Sequence, residues 1–94
     1  MLKHNVFFDG KVQSIQFERN GRRTTAGVID RGEFHFDNSV PERMTVISGE
    51  LQIRTPGESA WRRYPAGTAF EIPAKLGFDV KAEEPSAYLC EFLG

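Results

Sequence analysis

The stretch HFDNSVPERMTVISGEL, residues 35–51, decides how the rest of the chain is read. Its second half, extended to residue 53 as RMTVISGELQI, is rich in β-branched residues and broken at Ser48-Gly49-Glu50. It reads as two strands around a tight turn. Its beginning belongs to a strictly alternating segment, 33–37, with Phe34 and Phe36 on one face and Glu33, His35 and Asp37 on the other. His35, Asp37 and Glu42 follow the spacing H-x-D-x4-E, and six residues separate Glu42 from Gly49. An imidazole and two carboxylates so spaced around strands raise the question of a metal site.

Outward from this stretch the same texture repeats. Turn signals stand at Asp9-Gly10, Asn20-Gly21, Asp30-Arg31-Gly32, Thr55-Pro56-Gly57, Pro65-Ala66-Gly67 and Glu84-Pro85-Ser86. They recur at roughly ten-residue intervals, a spacing that suits an all-β sandwich or barrel. Asn20-Gly21 is the clearest hairpin signal, because both residues tolerate the positive φ of a two-residue type I′ turn. It should join strands over 11–19 and 22–30. AFEIP, FDVKA and AYLCEFL supply three more strands, the last with Tyr88, Cys90 and Phe92 on one face. No long segment carries a helical period with caps at both ends. The expected fold is all-β, a closed or nearly closed jelly-roll-like barrel that hides its strand edges.

Composition narrows the function. With 94 residues, 39% of them hydrophobic, the chain suits one domain spanning 1–94 whose modest core would gain from oligomerisation. The net charge of -1 and the mixing of acids with bases argue against nucleic acid or an anionic membrane surface as partner. Local anion sites fit the arginine pairs in GRR (21–23) and WRR (61–63). A single cysteine, Cys90, rules out an internal disulfide and fits a reducing compartment. The opening MLKHNVFFDG lacks the apolar core of a leader peptide, and no run approaches membrane-spanning length. The expectation is a soluble cytoplasmic protein.

The spacings Glu42-x6-Gly49 and Gly67-x5-Pro73 resemble the two signature motifs of the cupin barrels, in which histidines and a glutamate point inward onto one metal ion. Position by position, His35 matches the first histidine and Glu42 the glutamate. Asp37 stands in place of the second histidine, Phe78 in place of the third, and Ile29 in place of the first glycine. A phenyl ring cannot ligate a metal. His35, Asp37 and Glu42 alone would make a facial triad of the Fe(II) type. Turning His35 and Asp37 inward would also turn Phe34 and Phe36 outward, where a dimer interface would have to cover them. His4 is a poor ligand candidate.

A closer resemblance spans nearly the whole chain. FFDGKVQSIQF, PERMTVISGEL, YPAGTAFEIPA and EPSAYLCEFL, in this order and at this length, resemble the small single-domain cupins of the pyrimidine/purine nucleoside phosphorylase family. The resemblance implies phosphorolysis of purine and pyrimidine nucleosides, with inorganic phosphate, to free base and ribose 1-phosphate. It implies broad specificity, no metal and no organic cofactor. A homodimer is expected.

Such chemistry passes through an oxocarbenium-like transition state, and it needs three tools. A carboxylate should hold the ribose hydroxyls and stabilise positive charge on the sugar; Glu42 is the first choice and Glu71 the second. A cationic cradle should hold phosphate against the anomeric carbon; Lys11, Arg22, Arg23 and Arg43 are the candidates, and spacing does not choose among them. An apolar wall should receive the base; Phe36, Phe78 and Tyr88 are the candidates, with Thr45 for a sugar or phosphate oxygen. Cys90 reads as a buried, inert thiol, since no histidine partner is evident. Besides the phosphorylase, two other functions fit the pattern: a metal-dependent cupin enzyme built on His35, Asp37 and Glu42, and a cupin that binds a small molecule without turnover.

Overall fold

The computed structural model describes residues 1–94. Ten strands and one single-turn 3-10 helix follow one another as β1 (Lys3–Phe7), the 3-10 turn (Phe8–Gly10), β2 (Val12–Arg19), β3 (Arg22–Ile29), β4 (Gly32–Phe36), β5 (Glu42–Ser48), β6 (Glu50–Arg54), β7 (Arg62–Pro65), β8 (Ala69–Ile72), β9 (Phe78–Ala82) and β10 (Ser86–Phe92). They form a six-stranded sheet in the order β1-β2-β3-β10-β5-β8 and a four-stranded sheet in the order β4-β9-β6-β7. All strand pairs are antiparallel. This is the all-β, jelly-roll-like architecture expected from the turn spacing. Its edges are short or polar rather than abolished: β1 carries Lys3 and His4, and β7 carries Arg62, Arg63 and Pro65.

The Asn20-Gly21 hairpin forms as its sequence dictates. Both residues take positive φ, 52° and 72°, and β2 pairs with β3 without a break from Arg19 opposite Arg22 to Val12 opposite Ile29. The Ser48-Gly49-Glu50 turn behaves differently. β5 and β6 flank it, yet they lie in different sheets, so the turn carries the chain across the core and closes no hairpin. Gly49 has φ 80°, and a Cβ there would stand 2.2 Å from Ser86 Oγ. Conformation and close approach both require glycine at this corner.

β1 and β7 have no counterpart in the alternation pattern. Each lies at a sheet edge, where one side faces water and no apolar period is imposed.

The core fills the space between the sheets. Ile29, Met44, Val46, Leu51, Phe78 and Val80 are fully buried. On β4 the buried face is the aromatic one: Phe34 is in the core and Phe36 packs against it, while Glu33 and His35 face outward. The dimer cover that outward phenylalanines would have needed is therefore not required for them. Exposed apolar side chains of the six-stranded sheet include Ile15 on β2, Val28 on β3 and Ile47 on β5, besides Val6 and Phe7 on the edge strand β1.

Candidate functional site

A cavity of about 520 Å3 lies between the inner face of the six-stranded sheet and the end of β4. The size suits a small organic ligand. Its floor is the inner face of the six-stranded sheet, with Val12, Ser14, Thr25, Glu42, Met44, Tyr88 and Cys90. Its other walls are the end of β4 and the β1 region, including Phe36 and Phe8.

Alternation decides what reaches this floor. On β5, Glu42, Met44 and Val46 point inward, whereas Arg43 and Thr45 point to the outer surface. Glu42 is only 8% exposed. Asn38, itself buried, fixes the crossover that leads into it: its amide donates to Val40 and Pro73 carbonyls and accepts from the Gly77 N–H. Glu42 has no salt-bridging cation, and the Cys90 thiol donates to its Oε1 at 3.5 Å. Burial raises the Glu42 pKa above its ordinary value, opposed by the Cys90 hydrogen bond and the charge of Arg23. A buried carboxylate supported by one weak thiol donor is costly unless something else uses it.

Tyr88 is 6% exposed and lies flat over β3. Gly27 permits this, since a Cβ there would stand 2.4 Å from the ring and 2.5 Å from the hydroxyl. The hydroxyl has no hydrogen-bond partner in the protein. No polar side-chain atom is both unpaired and fully enclosed, so this hydroxyl opens on the cavity. Burial, then the neighbouring Cys90 and Glu42, pushes the phenol far above its ordinary value, and it remains a donor at physiological pH. Burial first, then the charge of Glu42 and the hydrogen bond to it, raise the Cys90 pKa and keep it a thiol. Ser14 and Thr25, both buried, add hydroxyls to the floor. Arg23 lines the cavity with its guanidinium 4.3 Å over the Phe92 ring, a stacking that fixes the plane and leaves N–H groups free.

Of the residues singled out in the sequence, the fold brings Glu42, Arg23, Phe36, Tyr88 and Cys90 to one cavity, and the exposed His35 and Asp37 line it too. Arg43 and Glu71 pair with each other instead, Arg43 Nε and Nη2 both donating to Glu71 Oε2 at 3.1 and 2.8 Å, on the outer surface where β5 meets β8. Thr45 shares that surface. Lys11 and Arg22 are exposed and do not line the cavity. Phe78 lies beneath the cavity, 1% exposed, with Phe36 edge-on to it at 5.6 Å. Ser14 and Thr25 escaped notice in the sequence. The signal was present: in the hairpin register they share a face with Val12 and Ile29, and polar residues on an apolar face mark a cavity.

The positions that bind metal in other cupins do not fit a metal here. Both His35 ring nitrogens are engaged by carboxylates, Nδ1 standing 2.9 Å from Asp79 Oδ1 and Nε2 3.2 Å from Asp37 Oδ1. Asp37 is largely exposed, and Phe78 offers no donor atom. His35, Asp37 and Glu42 are not gathered as a ligand set.

Two carboxylates on one imidazole favour its protonated form. The hydrogen bond to Asp79 is the chief cause of the raised His35 pKa, against partial desolvation, and Arg54 shares the same Asp79. Sign follows directly. The contacts contribute fully below the ordinary histidine value of 6.5 and are lost as pH rises through the raised folded value. The stability advantage of the natural protein over a His35→Gln variant should therefore shrink above neutrality. Thermal melts of both proteins between about pH 5.5 and 8.5 check this. The effect is small because the group is exposed, and parallel curves would show that His35 titrates normally.

Two packed sheets, with a cavity floored by the larger one, make a cupin-type fold. A cupin from Shewanella frigidimarina, 15% identical, matches the fold over 97% of this chain and 82% of its own, with a TM-score of 0.76. The family model described as pyrimidine/purine nucleoside phosphorylase matches residues 2–92, and the chain belongs to that family. A relative from Sorangium cellulosum bearing that name is 64% identical over 99% of this chain and all of its own. A crystal structure of a protein of unknown function from Vibrio parahaemolyticus, 36% identical, covers 99% of each chain with a TM-score of 0.96.

Proposed function

We propose that this protein phosphorolyses nucleosides of both base classes without a metal ion. The observation that carries the reading is the buried Glu42 carboxylate, unpaired by any cation, beside the unpaired Tyr88 hydroxyl in an aromatic-walled cavity. Glu42 accepts hydrogen bonds from the ribose hydroxyls and stabilises the positive charge that develops on the sugar. Tyr88, Ser14 and Thr25 bind the remaining sugar or phosphate oxygens. Arg23, held over Phe92, presents its fork to phosphate. A phosphate oxygen bonds to the anomeric carbon as the C–N bond breaks. The base departs with the bonding electron pair and takes up a proton, leaving ribose 1-phosphate. Holding the reactants together supplies much of the rate.

Family membership supports the activity, and the residues at the cupin ligand positions support the metal-free mechanism. A homodimer in the cytoplasm completes the proposal. Exposed Ile15 and Val28 on the outer sheet offer it an apolar surface.

The test is a product assay. Pure protein is incubated with uridine or adenosine, with and without phosphate, in excess EDTA, and base and ribose 1-phosphate are separated by chromatography. Phosphate-dependent release that survives EDTA is expected. Release that requires added metal would overturn the metal-free mechanism, and no release from either nucleoside would favour a cupin that only binds.

A further inference from the structure

One wall of the cavity mouth has no role in the chemistry above. Phe8 sits in the 3-10 turn between β1 and β2, lines the cavity and is 45% exposed. Its backbone and that of Asp9 lie in the left-handed region, φ 52° and 55°. A bulky residue is rarely held there, and such conformations concentrate at ligand clamps. The conformation places the Phe8 ring tilted on Phe34, centroids 5.0 Å apart. It also sets the ring nearly parallel to Phe36, at 6.3 Å and 14°. Phe36 is anchored through its edge-on contact with the buried Phe78. An exposed aromatic on a strained turn is thus aligned with an aromatic fixed by the core.

Resting on the nucleoside reading of this cavity, we propose that Phe8 is a base-contacting residue. Together with Phe36 it gives the nucleobase an aromatic surface to stack on. The polar groups Glu42, Ser14, Thr25 and Tyr88 lie on the inner face of the six-stranded sheet, the sheet opposite Phe36, and meet the sugar. Stacking is indifferent to base identity because every base has a π-face. Acceptance of purines and pyrimidines then follows from binding the face of the base instead of reading its edge. The purine, with the larger ring system, depends more on Phe8.

Direct binding tests this independently of turnover. Affinities of the full chain for adenosine, uridine and ribose are measured by calorimetric or NMR titration, for the natural protein and for Phe8→Ala and Phe8→Tyr. Loss of one stacking partner is expected to weaken nucleoside binding by roughly 5- to 150-fold. The loss should be larger for adenosine than for uridine, with ribose binding unchanged and Phe8→Tyr close to the natural protein. Unchanged nucleoside affinity in Phe8→Ala would overturn the role of Phe8 while leaving the nucleoside reading intact. An equal loss for ribose would also overturn it, by showing that Phe8 only shapes the cavity. Failure of the natural protein to bind either nucleoside would overturn the nucleoside reading itself, and the Phe8 role with it.

Discussion

Glu42→Gln is expected to lower nucleoside turnover more than tenfold while the protein stays folded and melts no lower than the natural chain at neutral pH. The amide keeps the shape of the side chain and removes its charge. Tenfold corresponds to about 1.4 kcal/mol of transition-state stabilisation, a modest demand on a carboxylate facing a developing cation in a partly enclosed cavity. The stability half of the expectation comes from the same burial. An acid whose folded pKa is raised binds its proton more readily in the folded state. The natural protein therefore loses stability as pH rises from the ordinary glutamate value of 4.5 through the raised one. The Glu42→Gln protein escapes that loss, and the two melting temperatures should converge on acidification below 4.5. Steady-state rates and melts across pH check both halves. A fully active Glu42→Gln protein would remove the carboxylate from the mechanism. Glu71, paired with Arg43 on the outer surface, could not replace it.

Phe78→Ala is expected to cost about 3–5 kcal/mol of folding free energy, against a total of about 5–15 kcal/mol for a domain. Phe78 is 1% exposed and is among the largest fully buried side chains. Its removal leaves a cavity between β9 and the opposite sheet and takes away the edge on which Phe36 rests. The melting temperature should fall by about 12 °C or more. Urea unfolding would measure the loss directly, and a cost below about 1 kcal/mol would show that the ring contributes little to the core. The position is instructive because its motif equivalent in metal-binding cupins is a histidine. Here the same strand face holds a hydrocarbon ring, and the frame of a metal site has become part of the core.

Much of the fold was legible because local rules agree with it. Asn20-Gly21 permits one kind of turn, and the alternation on either side sets its register. The β4 alternation was equally plain, but it contains no sign saying which face is inside. The spacing of His35, Asp37 and Glu42 raised the polar face as an inward alternative; burial of Phe34 and the packing of Phe36 on the core chose the other. Likewise the sequence could not separate Arg23 from Arg22 or Arg43. Neighbours in the chain reach opposite faces of a sheet, and Arg43 meets Glu71 only because β5 and β8 pair although β6 and β7 intervene in the chain.

What the sequence by itself determined is the family, the all-β class and the hairpin register, because these rest on turn chemistry, period and ordered motifs along one chain. Only the tertiary structure decided that Ser14, Thr25, Tyr88 and Arg23 share one cavity with Glu42, and that Phe8 stands over its mouth. Those groups come from strands far apart in sequence, and their inward direction is fixed by the packing of two sheets around a core that excludes water.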